Sequence, residues 1–143
     1  MPNYLVYKAG IHSVGQYQMS GIPYATASIT VPVSGTAPLE VPFPRISKFV
    51  TIRNIVPTGS TPGDRTLRVG FSSAGTSGDG GPSSHNFFTL ANGESYTGEW
   101  RIQSVFLMCD TANESSASII AGLTAISTSS LDFDNWSGSL GVG

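Results

Sequence analysis

The sequence predicts an all-β fold, a single jelly-roll β-sandwich of about eight antiparallel strands with an extended arm at each end. Three observations carry that prediction. Gly and Pro punctuate the chain roughly every ten residues, and the segments between them are short and rich in Val, Ile, Phe, Thr and Tyr. Several of these segments alternate apolar and polar residues with the period of two that a half-buried strand requires. No segment carries the apolar repeat of a helix of three turns. An immunoglobulin-like sandwich or another β-barrel topology is the alternative arrangement.

In chain order, residues 1–27 form an N-terminal arm, residues 28–126 the sandwich and residues 127–143 a C-terminal arm. Strands are predicted at 28–33, 39–44, 49–55, 67–72, 86–90, 95–102, 105–109 and 117–124. In the second, Pro42 and Pro44 have no N–H to give a ladder, so that segment belongs at a sheet edge or leaves the sheet there. The third sets Val50 and Ile52 inward against Thr51 and Arg53, and the fourth sets Leu67, Val69 and Phe71 against Arg68, Gly70 and Ser72. Between the fourth and fifth, residues 72–85 are too rich in Gly and Ser to hold regular structure and read as a long surface loop. Asn92-Gly93 predicts a tight reversal between Phe88 and Tyr96, because both residues tolerate positive φ. In the sixth strand, Tyr96 and Trp100 alternate with Thr97 and Glu99. The seventh contains "VFLMCD", in which Cys109 reads as a buried thiol acting as a small hydrophobe.

Composition narrows the function. Only 11% of the residues are charged, nine acids against seven bases scattered along the chain, so no patch advertises nucleic acid or an anionic membrane. Ser, Thr and Gly replace the usual surface charges. Burying them between subunits costs less than desolvating Lys or Glu, which suits an exterior that becomes an interface, although an ordinary β-protein surface has the same composition. A lone cysteine excludes an intrachain disulfide and a multi-cysteine zinc cage. The N-terminus lacks a long apolar core with a basic flank, and no apolar run approaches the ~20 residues of a membrane span, so neither secretion nor direct membrane insertion is expected.

The motifs that look chemical are weak. "SGDGGP" at 77–82 resembles the nucleophile loop of chymotrypsin-like proteases, but the serine between Asp79 and Gly80 is missing, so the nucleophile role is empty. His12 and His85 are the two histidines and stand in no cluster with metal-ligand spacing; surface or capping roles suit both. Asp132 and Asp134 are spaced to pair or to hold calcium, and two carboxylates also keep a tail solvated. The triplets at Asn113 and Asn135 match an N-glycosylation acceptor, which matters only in a secretory context. Trp100 with Tyr96 and Tyr17 offers an aromatic platform for a sugar, whereas the alternating position of Trp100 is that of a core residue. The expectation is a non-enzymatic protein without cofactor or metal.

The C-terminus poses a different question. "LDFDNWSGSLGVG", from Leu131 to Gly143, is too rich in Gly and Ser for regular structure yet carries Phe133 and Trp136. A tail built only to stay in water has little use for two such rings.

Read from "VPFPRISKFVTIRNI" through "LRVGFSSAG", "NFFTLANGESYTGEWRIQSVFLM" and "SASIIAGLTAI" to "NWSGSLGVG", nearly the whole chain resembles the small penton proteins of large icosahedral DNA viruses. The most telling pieces are "GESYTGEWRIQSVFL" at 93–107 and "IIAGLTAI" at 119–126. The resemblance implies a single jelly roll, five copies of which form a ring, a homopentamer that plugs each five-fold vertex of the capsid. Its partners would be major capsid protein trimers around it and minor capsid proteins beneath, and its place the virion. Some larger pentons carry an extra domain in a loop; here the corresponding site is the short glycine-rich loop 72–85, which puts a receptor-binding spike in doubt. On this reading Phe133 and Trp136, and with them Tyr4, Tyr7 and Tyr17 of the leading arm, are the expected interface residues. A capsid decoration or minor capsid protein off the five-fold axis and a jelly-roll carbohydrate-binding module are the alternatives.

Overall fold

The structure, a computed structural model, describes residues 21–56, 65–78 and 85–128. Among them are eight strands, β1 (Ile22–Val31), β2 (Leu39–Pro42), β3 (Arg45–Ile55), β4 (Leu67–Gly70), β5 (Phe87–Leu90), β6 (Ser95–Gly98), β7 (Ser104–Cys109) and β8 (Ser115–Ser127), and one short helix, α1 (Ser73–Ser77). Two antiparallel four-stranded sheets result: sheet A in the order β1-β8-β3-β6 and sheet B in the order β2-β7-β4-β5. The chain changes sheet at every connection except that from β4 to β5.

The alternating positions meet where the period of two places them. Val50, Ile52, Ala117, Ile119, Ala121 and Leu123 from sheet A pack against Val41, Leu67, Val69, Val105, Leu107 and Cys109 from sheet B in one shared core. Burying these side chains is the main stabilising contribution, about 1.5–3 kcal/mol for each large aliphatic. Pro42 lies in β2, an edge of sheet B, where its missing N–H breaks no ladder.

Five sequence expectations are corrected. β1 begins at Ile22, so residues 22–27, placed in the leading arm, already pair with β8; "PYATA" has no strong strand propensity, and a long-range partner supplies what propensity does not. Likewise β3 starts at Arg45 and β8 runs to Ser127. Strand β6 stops at Gly98, so Trp100 lies beyond it. The glycine-rich stretch holds α1: the Ser72 side chain accepts from the Gly75 N–H at 3.0 Å, and Gly78 ends the turn at φ 79°.

The Asn92-Gly93 reversal is present. The Glu94 N–H donates to the Ala91 carbonyl at 3.0 Å, and φ is positive at Gly93 but not at Asn92, the pattern of a type II turn. It carries the chain from β5 in sheet B to β6 in sheet A.

One buried polar residue braces the two sheets. Asn54 of β3, fully buried, donates from Nδ2 to the carbonyls of Arg65 (2.8 Å) and Leu90 (3.0 Å) and accepts at Oδ1 from the Ser115 hydroxyl (2.7 Å). All three polar positions used here tie β3 to the segment before β4, to β5 and to β8. Ser47 plays a similar part lower in β3, its hydroxyl meeting the Trp100 carbonyl at 2.6 Å.

Candidate interaction surfaces

The outward positions of sheet A follow from its register. Three lines of neighbours run across it: Pro23, Gly122 and Phe49; then Ala25, Ile120, Thr51 and Thr97; then Ser118, Arg53 and Ser95. Arg53 is the one charged residue in these lines. The Thr51 and Thr97 hydroxyls meet at 2.8 Å, holding β6 against β3. Ile120, near the middle of this face, is 56% exposed, more than either of the other exposed large hydrophobics, Tyr96 (49%) and Ile22 (41%). The sequence contained a signal for it: Ile119 and Ile120 are consecutive in a strand, so one of the two faces outward.

A second surface lies on the side of the sandwich where β5 and β6 form the sheet edges. Tyr96 stacks on Trp100, with centroids 5.6 Å apart and planes at 21°. Phe71 meets Trp100 edge-on at 4.9 Å, and Phe88 touches both Tyr96 (5.2 Å) and Trp100 (6.0 Å). The indole lies over Gly98, where a methyl group would fall 2.3 Å from ring carbons Cε2 and Cζ2. Trp100 is therefore half-buried packing, although it stands beyond β6 and not at the alternating strand position expected for it. Tyr96 presents the open ring face.

Beside this cluster, Arg68 of β4 connects several elements. Its Nε bonds Asp110 Oδ1 at 2.5 Å, its NH1 donates to the Ser77 carbonyl at 3.0 Å, and its guanidinium lies 4.5 Å over the Phe87 ring. A cation at the C-terminal carbonyls of α1 is favourable, and it fastens the helix to the sheet. His85 is exposed, its ring 6.2 Å from that of Phe87.

Cys109 is buried, with its thiol directed at the Val31 carbonyl 3.6 Å away. Burial pushes the thiol pKa up, partly offset by a backbone hydrogen bond at Ser115 and by Arg65. That is the environment of an inert packing group. Among the described residues no three His, Cys, Asp or Glu side chains stand close enough together to hold a metal ion.

The two ends of the described chain lie close together on sheet A. The Gly21 N–H donates to the Leu123 carbonyl at 3.0 Å, and Ser127, at the end of β8, lies opposite Arg45. Segments 1–20 and 129–143 thus join the sandwich at the same end of one sheet. The interface residues expected from the sequence, Tyr4, Tyr7, Tyr17, Phe133 and Trp136, fall outside the described residues, as do His12, Asp79, Asp132, Asp134 and Asn135.

In comparisons with known proteins, the chain matches no family model, no curated protein and no solved structure.

Proposed function

We propose that this chain is a structural capsid protein with a single jelly-roll fold, five copies of which form the penton ring that closes each icosahedral vertex of a virion. The observation that carries the reading is the strand order. Sheets ordered β1-β8-β3-β6 and β2-β7-β4-β5, with a change of sheet at all but one connection, support a reading as two interlocked Greek keys, the arrangement of jelly-roll capsid domains. Because lectins and cupins share the fold, the rest of the argument comes from the surfaces.

A closed ring needs a heterologous contact, one side of the subunit meeting a different side of the next. Sheet A supports this with an outer face that has one charge in its three central lines and Ile120 in the open, while the Tyr96 side offers an aromatic edge. A specific interface buries about 1,200–2,000 Å² in all, more than one small sandwich edge readily supplies. The arms, joined to one end of sheet A, extend it by carrying Tyr4, Tyr7, Tyr17, Phe133 and Trp136 onto the neighbouring copy. Outside the ring lie major capsid protein trimers, and minor capsid proteins lie beneath. The work is done by shape and burial, without bond making, cofactor, nucleic acid or membrane insertion.

Native mass spectrometry of the full chain across protein and salt concentration tests this. A closed five-subunit species is the expected result, and a chain that stays monomeric at every concentration overturns a self-assembling ring. One observation favours a second reading, a carbohydrate-binding module: the exposed face of Tyr96 stacked on Trp100 is a platform for a pyranose ring. Glycan-array binding by a monomer, abolished by Tyr96→Ala, would establish it instead.

A further inference from the structure

The outer face of sheet A has the features of a seat. Ile120 is the most exposed of the large hydrophobics among the described residues and stands on β8, an inner strand of the sheet, instead of at its rim. Beside it stand Ala25, Thr51 and Ser118, small uncharged residues that desolvate at little cost and leave room for a flat ring, with the half-buried Phe49 at one diagonal and Arg53 at the other. Single exposed apolar residues are ordinary; an isoleucine with small neighbours and a phenylalanine beside it, on a face with one charge in its three central lines, is a patch.

We propose that this face, centred on Ile120, receives the C-terminal segment Leu131–Trp136 of an adjacent copy, an inference that rests on the ring reading above. Three observations name the occupant. First, the chain continues past Thr128 from the end of β8, and Phe133 and Trp136 follow within eight residues. Eight extended residues span roughly 26–29 Å. Four strands measure only roughly 14 Å across, so the segment is long enough to leave its own sheet and reach the next subunit.

Second, the charges complement one another. Asp132 and Asp134 flank Phe133, while the exposed charges along β3, the strand beside Ile120, are Arg45 at the end where the chain departs and Arg53 further along. Third, no Gly occurs between Thr128 and Gly138, so the backbone that carries both rings lacks the residue with the most conformational freedom to lose on being ordered against a neighbour. Phe133 and Trp136 are then the aromatic anchors, Ile120 and the small residues around it the floor, and the two arginines the rim.

The experiment uses the full chain labelled with 5-fluorotryptophan. Its two fluorine resonances are assigned with Trp136→Phe, and Trp100, packed in the sandwich, serves as the internal reporter of folding. Spectra are taken at concentrations where native mass spectrometry finds rings and again after dilution to monomer. Ring formation is expected to move the Trp136 resonance from its free-indole position and to shrink its solvent-isotope shift. Ile120→Asp should abolish both changes and raise the half-assembly concentration by about thirty-fold, with the Trp100 resonance unmoved. The milder Ile120→Ser, expected to act in the same direction, serves if the aspartate variant misfolds. Rings in which Trp136 does not respond, or responds regardless of residue 120, overturn this inference and leave the ring reading standing. A response already complete in the monomer assigns the segment to its own sheet and overturns it as well. Absence of rings at any concentration overturns both.

Discussion

Replacing Asn54 with leucine removes the polar brace between the sheets while keeping the branched shape of the side chain. The amide makes three hydrogen bonds, to the Arg65 and Leu90 carbonyls and from the Ser115 hydroxyl. Ser115 has an alternative acceptor, the Ile55 carbonyl at 3.4 Å, so its loss is partly recovered. The Leu90 carbonyl takes its bond from Nδ2 in the buried interior, where a stranded acceptor costs about 1–3 kcal/mol, and the part-buried Arg65 carbonyl loses a bond worth about 0.5–1.5 kcal/mol. With about 0.5 kcal/mol that Ser115 does not recover, and about 1 kcal/mol back for the apolar side chain, the net loss is about 1–4 kcal/mol, a large share of the ~5–15 kcal/mol typical of a domain. Urea unfolding followed by tryptophan fluorescence measures it, and a midpoint within 0.3 M of the parent, about 1 kcal/mol or less, would refute the reasoning. Asn54→Asp separates hydrogen bonding from packing. A carboxyl at that position is desolvated and faces two carbonyl oxygens, so its folded pKa lies above its unfolded value of about 3.9. A raised folded pKa stabilises below the unfolded value, and that contribution is lost as pH rises through the folded one. The variant is therefore closest to the parent near pH 4 and falls further behind toward pH 8. A deficit independent of pH would show that the site is wetter than its burial implies.

Other predictions probe single contacts. Gly98→Ala places a methyl group against the Trp100 indole, which Phe71, Phe88 and Tyr96 hold in place; a loss of about 1–3 kcal/mol and a changed tryptophan emission maximum are expected, and unchanged emission would contradict the packing. Ser28 holds φ 57° at the bulge where Ala27 and Ser28 oppose Ser118, so Ser28→Gly should raise stability by about 0.5–1 kcal/mol in thermal unfolding, whereas a loss would show that the hydroxyl has a role there. The Cys109 thiol should resist a disulfide reagent until the fold opens, with modification tracking global unfolding in mild denaturant. Because burial raises its folded pKa, its contribution to stability is constant below the unfolded thiol value and declines in alkali; modification within seconds under native conditions would contradict its burial.

The parts of this fold legible in the sequence were those governed by local rules. Val50 and Ile52, or Leu67 and Val69, announce an inward face by alternation, and Asn92-Gly93 announces a turn by its tolerance of positive φ. What stayed hidden depended on distant partners. Residues 22–27 form strand because β8 is there to pair with them, and Asn54 looks like any polar residue in a strand until Arg65, Leu90 and Ser115 close around it. Helix α1 was missed because composition was read without the Ser72 cap, which suits a single turn even in a glycine-rich stretch. The open position of Ile120 was half legible: two adjacent isoleucines require an outward one, but which of them faces out is decided by register with β1 and β3.

The order of sheet A also governs when the chain can complete its fold. Strand β8, the last of the described strands, lies between β1 and β3, which are not paired with each other. During synthesis β1 and β3 therefore emerge long before the strand that joins them, and sheet A closes only once residues near Ser127 have left the ribosome. A chain cut short by premature termination lacks β8, leaving β1 without its partner and one ladder edge of β3 unpaired. Such a fragment is a substrate for chaperones and proteases, so the topology screens each copy for completeness.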